Sequence, residues 1–210
     1  MTATSATGDQ LGSNPLDGIT PRLLFEGLSD EEWEWLLTHG TGRCPFLYQH
    51  LPSLPSQEFQ ASISGVSGTT ALAVGSYHYT LFKTLYQQHR RRPLAASDHV
   101  LDFGCGWGRV TRFFLKDVDP DNLWGVDINE AAIDTCSHTD RWSHFATVSV
   151  LPPCDLSDSY FDLVYAYSVF SHLSEEALLA WFRSRTFGAC GSSTCTCSIT
   201  FRPSGSSFRT

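Results

Sequence analysis

The chain has 210 residues, of which 41% are hydrophobic and 17% are charged, and its formal net charge at pH 7 is −8. This composition is that of a globular protein of one sizeable domain, and it excludes an intrinsically disordered chain. The acidic balance argues against nucleic acid as a partner, and the absence of any stretch near the roughly 20 apolar residues of a membrane span argues against a membrane protein.

Seven cysteines are scattered along the chain, odd in number, irregularly spaced and without a C-x-x-C pair. The N-terminal sequence "MTATSATGDQLGSNP" lacks the charged and apolar regions of a secretory signal. Free thiols in a reducing compartment follow from these two observations. We therefore expect a cytoplasmic protein without a metal site.

The first 97 residues carry helical patterns separated by turn-forming residues. Residues 1–20 are polar, rich in Thr, Ser and Gly, and are predicted to be a disordered tail. Residues 21–97 are predicted to form a helical lead-in with a lid. Its first helix lies in "LSDEEWEWLLTHG", where Ser29 and Glu32 form a capping box, and its second lies in "YHYTLFKTLYQQHRRR", before Pro93.

Between these two helices the sequence predicts irregular structure. The stretch "PFLYQHLPSLPSQEFQ" is interrupted by prolines. Residues 62–76, "SISGVSGTTALAVGS", are rich in Ser and Gly and are predicted to be a loop or a helix entry. Such a stretch at a domain edge serves either as a lid over a binding site or as a plain linker, and the sequence leaves both open.

Strands and helices alternate over residues 98–183. The runs "HVLDF", "NLWGVDI", "HFATVSV" and "FDLVYAY" predict four strands, and "GRVTRFFLKD", "NEAAIDTCS" and "SEEALLAWF" predict three helices. This order is typical of an α/β protein, and we expect a Rossmann-like, doubly wound and mostly parallel sheet. Residues 184–210 differ: they have 12 Ser or Thr in 27 positions and no acidic residue, and they predict one edge strand at most.

Three glycines at alternate positions follow the first predicted strand, with Asp102 two residues upstream of the first. Gly104 lets the chain turn sharply, Gly106 lets a ligand lie on the backbone, and Gly108 lets the next helix pack closely on the strand. A ligand-free tight turn would need the same residues. The loop alone is therefore a weak signal.

Two features narrow the choice of ligand. Asp127 closes the second strand 23 residues after Gly104, close to the spacing of an acid that accepts hydrogen bonds from ribose hydroxyls. The dinucleotide fingerprint is G-x-G-x-x-G, whereas this loop is G-x-G-x-G with Arg109 in the sixth position. A carboxylate from Asp102 at the loop mouth would also repel a pyrophosphate. A ligand with a ribose and a cationic amino-acid end therefore fits better than a dinucleotide.

The segments "VLDFGCGWGR", "GVDINEAAI" and "FDLVYAYSVFSHLSEEALLAWF" occur in order and together resemble the class I S-adenosylmethionine-dependent methyltransferases over residues 98–182. The resemblance implies that residues 98–183 form the core that binds S-adenosyl-L-methionine as cofactor. The cofactor-binding residues it implies are Asp102, Gly104, Cys105 and Gly106 for the methionine part, Asp127 for the ribose, Ile128, Val150 and Leu151 for the adenine, and Tyr167 and Ser168 beside the methyl-transfer pocket. Family members often carry an aspartate near the position of Val150, and this chain does not.

The reaction that the resemblance implies is transfer of a methyl group to a small-molecule or glycan-type acceptor. Transfer from a sulfonium is an in-line displacement, so alignment supplies most of the catalysis, and a base is needed only where the acceptor loses a proton. The candidates for such a base are His172 and Tyr167. Tyr77, His78 and Tyr79 on the lead-in helix are further candidates, with an ordinary structural role as the alternative for each.

The tail departs from the family pattern. Family members follow the last of these helices with an arginine-valine-leucine-x-proline-glycine-glycine turn, a fifth strand and a β-hairpin, where this chain has "TFGACGSST". We therefore expect the sheet to be C-terminally incomplete, through a truncated or frame-shifted reading frame. Two alternatives to an active methyltransferase stay open: a non-catalytic methyltransferase-like protein that binds a nucleotide or a partner, and an NAD-dependent oxidoreductase.

Overall fold

The computed structural model describes residues 19–40, 50–154, 156 and 160–184, together with the backbone of residues 196–200. Several predictions lie outside the described residues. They concern the disordered tail up to residue 18, Cys44, Cys190 and Cys195, and the segment beyond residue 184 apart from its one strand.

Five strands form one parallel sheet. Their bounds are β1 Val100–Phe103, β2 Leu123–Asp127, β3 His144–Thr147, β4 Leu163–Tyr167 and β5 Thr196–Thr200. The order in the sheet is β3-β2-β1-β4-β5, and all neighbours are parallel. The chain thus runs outward from β1 to β3 and returns to the other side of β1 as β4. β1 and β4 therefore flank the switch point at which open α/β sheets bind ligands. The predicted α/β fold with a mostly parallel sheet is confirmed.

Six α-helices occur within the described residues. Their bounds are α1 Pro21–Phe25, α2 Asp30–Trp35, α3 Gln57–Ser64, α4 Gly68–Arg90, α5 Glu130–Thr139 and α6 Glu175–Arg183. The predicted capping box is confirmed: the Ser29 hydroxyl accepts the N–H of Glu32 at 3.2 Å, and the Glu32 carboxylate accepts the N–H of Ser29 at 2.8 Å. None of these helices has both the length and the apolar character that a membrane span requires.

Two stretches differ from the prediction. After β1, turns are followed by a 3₁₀ segment over Thr111–Lys116 instead of an α-helix. The left-handed φ angles of Gly106 (55°) and Gly108 (73°) delay the start of a regular helix in this stretch. Most of residues 62–76, predicted as a loop or a helix entry, is helical, because α3 reaches residue 64 and α4 begins at residue 68.

One buried side chain holds the turn between α3 and α4. The Gln60 amide donates to the carbonyl of Pro55 at 2.8 Å and accepts the N–H of Gly68 at 2.9 Å. Gln60 is only 1% exposed, so its hydrogen bonds are shielded from competing water. Ser56 caps α3 by accepting the N–H of Phe59 at 3.2 Å. These contacts stabilise helices that the Ser/Gly composition does not indicate.

The lead-in and the sheet share one core. The Phe82 ring of α4 lies 4.6 Å from the Tyr165 ring of β4, centroid to centroid. The Trp33 indole N–H donates to the carbonyl of Phe113 at 2.9 Å. Lys83 of α4 also pairs with Asp30 of α2 at 2.8 Å. α4 is therefore fixed as a layer on the sheet, next to the glycine loop.

Candidate active site

A cleft of about 450 Å³ opens at the carboxyl ends of β1, β2 and β4, and the end of α3 forms part of its wall. Its volume lies within the usual range for small-molecule sites. The structure brings most of the predicted site residues together in its lining: Asp102, Gly104, Cys105, Gly106, Asp127, Ile128, Val150, Tyr167, Ser168 and His172. Leu151 lies outside this lining and is 43% exposed.

The glycine loop gives the cleft a floor of bare backbone. Gly104 adopts a φ of 78°, and a Cβ there would lie 2.2 Å from Cγ2 of Val169. A Cβ on Gly106 would lie 2.9 Å from Cγ2 of Ile63, which belongs to α3. The N–H of Gly104 donates to the carbonyl of Val126 at 2.7 Å, which holds the loop against the end of β2. Side chains are thus excluded where a ligand would lie on the loop.

Asp127 is held rigidly at the edge of this floor. Its Oδ2 accepts the N–H of Gly106 at 2.8 Å, and its Oδ1 accepts the N–H of Asn129 at 2.9 Å. Each carboxylate oxygen keeps a second lone pair, so the half-buried side chain can accept two further hydrogen bonds. Ile128 and Val150, 54% and 52% exposed, add apolar surface to the same cleft.

Asp102 is buried rather than exposed at the loop mouth. The side chain is 2% exposed, and its Oδ2 accepts the Thr111 hydroxyl at 2.6 Å. Burial raises the pKa of Asp102 to about 7, and the charge of Asp127 adds to the rise, while Thr111 and Arg109 oppose it. Close to neutral pH the carboxyl group therefore exists in both protonation states, a correction to the fixed charge that the sequence suggested.

Cys105 is a packing residue within the loop. The Cys136 thiol beside it and burial raise the pKa of Cys105 well above its usual range. A thiol that stays protonated is a poor nucleophile. Trp107 is 1% exposed, and its indole N–H donates to the Ser64 hydroxyl of α3 at 3.4 Å.

Aromatic and cationic groups meet at the end of β4, where the candidate base His78 contacts the cleft residue Tyr167 without belonging to the cleft lining itself. The His78 ring of α4 lies 3.7 Å from the Tyr167 ring, and the Arg109 guanidinium carbon lies 5.1 Å from the same ring centroid. Nδ1 of His78 lies 2.8 Å from the carbonyl of Val74, which leaves Nε2 as the acceptor nitrogen of a neutral ring. Burial lowers the pKa of His78, so the neutral ring is favoured.

The other candidate bases lie in different surroundings. His172 is exposed in the cleft lining, in a short helical turn after β4. Tyr77 is 66% exposed on α4. The Tyr79 hydroxyl is buried away from the cleft and donates to Asp30 at 3.0 Å. Tyr79 is therefore a structural residue.

Sequence reasoning missed one charged residue of the cleft. It is Arg109, which lies in the lining and is 9% exposed. Its position directly after the third glycine was the signal that could have found it. Ile63, Ser64 and Gly65 at the end of α3 also line the cleft. They belong to the stretch 62–76, for which the sequence left open a lid over a binding site or a plain linker.

Comparison with known proteins agrees with this geometry. Residues 101–185 match the family model of methyltransferase domains. A probable fatty acid methyltransferase from Pseudomonas putida is 29% identical over 104 residues, which cover 48% of this chain and 26% of that protein. The chain thus spans about a quarter of the length of this curated relative.

Two solved structures are similar to parts of this chain. The SAM-bound structure of CalS10, an amino pentose methyltransferase from Micromonospora echinaspora, is 16% identical with a TM-score of 0.50, covering 73% of this chain and 61% of that chain. PKMT2 from Rickettsia typhi, in complex with AdoHcy, is 25% identical with a TM-score of 0.38, covering 48% of this chain and 21% of that chain. At 16% identity, the likeness to CalS10 shows the fold alone.

Proposed function

We propose that this chain, whose residues 101–185 belong to the class I S-adenosylmethionine-dependent methyltransferases, holds S-adenosylmethionine in the cleft at the ends of β1, β2 and β4 and transfers its methyl group to a small-molecule or glycan-type acceptor. The observation that carries the proposal is Asp127, a carboxylate fixed by the N–H of Gly106 at the edge of the bare glycine floor. A vicinal diol offers two donors, which suit its two remaining acceptor positions.

The rest of the cofactor has matching surroundings along the cleft. Ile128 and Val150 offer apolar surface for the adenine, on the side of β2. Asp102 lies on the adjacent β1 and offers a carboxylate to the ammonium of the methionine end. Because a nearby cation favours the ionised form of a carboxyl group, binding of this end would lower the pKa of Asp102 again.

When bound, the cofactor supplies an electrophilic methyl group on a sulfonium. The residues of this chain orient it: the glycine floor and Asp127 fix the nucleoside, and Tyr167 and Ser168 at the end of β4 lie where the acceptor would approach. The acceptor's lone pair forms the new bond to carbon while the carbon–sulfur bond breaks and its electron pair stays on sulfur. Alignment of this kind supplies most of the rate enhancement.

A proton must leave only where the acceptor atom is an oxygen or nitrogen that carries one. His172 and Tyr167 both line the cleft on the side of β4, and either one is placed to accept that proton. The acceptor class is proposed from the net charge of −8, which disfavours nucleic acid. The names of the relatives differ in acceptor, a fatty acid in one and an amino pentose in the other.

Calorimetric titration with S-adenosylhomocysteine tests the proposal. We expect micromolar binding to the wild-type chain and a loss of roughly tenfold to 100-fold in Asp127→Ala, the range for removing hydrogen bonds to a charged group. Asp134→Ala removes an exposed acid of α5 outside the cleft and serves as the matched control.

The same titration separates the alternatives. Binding of NADH in place of S-adenosylhomocysteine would favour an oxidoreductase. Binding of S-adenosylhomocysteine without methyl transfer to any acceptor of a broad panel would favour the non-catalytic protein. A folded chain that binds neither ligand would contradict the proposed cofactor site.

A further inference from the structure

The lead-in carries an apolar groove that is separate from the cleft. It lies between α1 and α2, has a volume of about 560 Å³ and shares none of its described lining residues with the cleft. Its apolar lining consists of Leu24, Phe25, Leu28, Trp35 and Leu36. We propose that this groove binds a cationic amphipathic helix of another protein. The inference goes beyond the proposed function and does not depend on it.

The groove is built on a rigid support. On the side of α2, the Trp33 ring packs on Phe25 with the ring centroids 5.1 Å apart, and the Trp33 indole N–H donates to the carbonyl of Phe113 at 2.9 Å. On the side of α1, Arg22 pairs with Asp119, which lies before β2. Because both walls are fixed before a partner arrives, little conformational entropy is lost when one binds.

Large apolar side chains are exposed at this groove. Trp35 is 46% exposed, and Leu23, the neighbour of the lining residue Leu24, is 53% exposed. Apolar residues scattered singly over a surface are ordinary, whereas a contiguous apolar groove indicates an interaction site. A tryptophan at such a place is typical of the anchor residues that carry most of the binding energy in protein interfaces.

The surroundings of the groove are acidic. Residues 21–36 carry five acidic residues and a single lysine or arginine, Arg22, whose guanidinium already pairs with two carboxylates. Two of the acids, Glu31 and Glu32, line the groove and are exposed. The backbone N–H of Ser29 lowers the pKa of Glu32, which favours its ionised form. Apolar surface beside two exposed carboxylates complements a partner whose apolar side chains are flanked by lysines or arginines.

Other occupants match this combination less well. Glu31 and Glu32 would repel the phosphate or carboxylate of a lipid head group. An added peptide strand needs the unpaired backbone of a sheet edge, and the walls of this groove are helices. A second copy of this chain in a two-fold contact would bring the acidic rim against itself. An amphipathic helix presents apolar anchors along one face with cations beside them, and it therefore matches both the groove and its charge.

The probe that tests the proposal is a synthetic Leu/Lys peptide of about five helical turns, with leucines at i, i+3, i+4 and i+7. Its scrambled form keeps the charge and loses the apolar face, and a Leu/Glu peptide keeps the apolar face and reverses the charge. In calorimetry at about 0.15 M salt we expect micromolar binding of the Leu/Lys peptide, binding of the scrambled peptide weaker by about tenfold or more, and no binding of the Leu/Glu peptide.

Variants of the chain locate the peptide. Trp35→Ala should weaken binding of the Leu/Lys peptide about tenfold, because it removes the largest exposed anchor of the groove. Glu31→Gln should weaken binding about threefold and reduce its dependence on salt. Leu179→Ala and Glu176→Gln are the matched controls, because they remove an exposed apolar and an exposed acidic side chain of α6, outside the groove. Thermal unfolding checks that each variant is folded.

The contrary outcomes are distinct, and each overturns the proposal. Failure of the folded wild-type chain to bind the Leu/Lys peptide, or equal binding of its scrambled form, would exclude recognition of an amphipathic helix. Weaker binding in Leu179→Ala but not in Trp35→Ala would locate the peptide on α6. Self-association that Trp35→Ala abolishes would assign the groove to a second copy, and binding of dodecanoate or of anionic vesicles that Trp35→Ala abolishes would assign it to a lipid. Binding of S-adenosylhomocysteine tests the proposed function separately from all of these.

Discussion

The backbone N–H of Gly106 donates a 2.8 Å hydrogen bond to Oδ2 of Asp127. This bond joins the two features that stand out in the sequence, the glycine loop after β1 and the acid at the end of β2. It is also the reason why we expect the acid and the loop to bind a ligand only together. The loop fixes the carboxylate, and the carboxylate in turn satisfies a loop N–H that would otherwise face the cleft.

Replacement of Asp127 by Asn tests how the carboxylate is shared. In the wild-type chain the N–H groups of Gly106 and Asn129 each donate to one oxygen of Asp127. The oxygen of the new amide can accept one of these two hydrogen bonds, but the amide nitrogen cannot accept the other. We expect the affinity for S-adenosylhomocysteine to fall about tenfold, which is less than in Asp127→Ala. Calorimetry on the two variants side by side measures this order. Equal losses would show that the negative charge, and not the acceptor geometry, matters.

The affinity for S-adenosylhomocysteine is expected to depend on pH through Asp102. Its pKa is raised to about 7 by burial, and the cationic amino-acid end binds the ionised form better. Binding should therefore tighten by up to about tenfold per pH unit from pH 5 to pH 7 and level off above pH 7. The ligand ammonium stays protonated over this range, since α-amino groups titrate near pH 8. Calorimetry at half-unit steps measures the slope.

Asp102→Asn provides the control for this titration. The amide cannot ionise, so the affinity of the variant should be weaker at pH 7.5 and constant from pH 5 to pH 7. A slope that persists in Asp102→Asn would assign the pH dependence to another group, such as His78, whose pKa is lowered by burial.

The same carboxyl group should affect stability with a defined sign. Its pKa in the folded chain, about 7, is above the ordinary value of 3.8, so the folded state binds this proton more tightly than the unfolded state. The contribution is therefore complete below about pH 4 and is lost as the pH rises to 7. Asp102→Asn should gain stability relative to the wild-type chain over this interval. Urea unfolding at pH 4.5 and 7.5 measures the difference in free energy of unfolding between Asp102→Asn and the wild-type chain. A difference that shrinks as the pH rises would contradict the assigned burial of Asp102.

The close approach of Gly104 to Val169 predicts that Gly104→Ala is destabilised. The residue has a φ of 78°, and its new Cβ would lie 2.2 Å from Cγ2 of Val169. The strained backbone and the clash together should lower the free energy of unfolding by roughly 2–4 kcal/mol. Gly27→Ala is the matched control, because a Cβ at Gly27 would have nothing within 4 Å. Adding Val169→Ala to Gly104→Ala should recover the part of the lost free energy of unfolding that is due to the clash. If none of it is recovered, backbone strain is the whole cause.

The parts of the molecule that the sequence predicted are those encoded by neighbouring residues. The four predicted strands, the capping box of Ser29 and Glu32, and the glycine loop with Asp127 all rest on local patterns or on one regular spacing. α3 was not predicted, because its junction with α4 depends on the buried Gln60 side chain, which links Pro55 to Gly68.

The residues of the cleft also separate into those that local sequence patterns predict and those that depend on tertiary contacts. That Asp102 lies in a buried strand is visible in the sequence, but its raised pKa depends on how completely the tertiary structure buries it. The meeting of His78, Arg109 and Tyr167 joins residues from α4, the loop and β4, and no periodicity relates them. Leu151, next to Val150 in the chain, lies outside the cleft lining, so the sequence alone does not determine which of the two neighbours lines the cleft.

Gly75 offers a final test of the contact between α4 and the glycine loop. In an open helix, Gly→Ala raises stability by up to about 1 kcal/mol. At Gly75 the new Cβ would lie 2.7 Å from the Arg109 carbonyl oxygen and 2.9 Å from the Phe113 ring, so the sign should reverse. We expect lower thermal stability and weaker binding of S-adenosylhomocysteine, because the displaced backbone belongs to the loop that lines the cleft. Thr80→Ala, at an exposed position of the same helix, should leave that affinity unchanged. A Gly75→Ala chain with unchanged thermal stability and unchanged affinity would contradict the close contact between α4 and the loop.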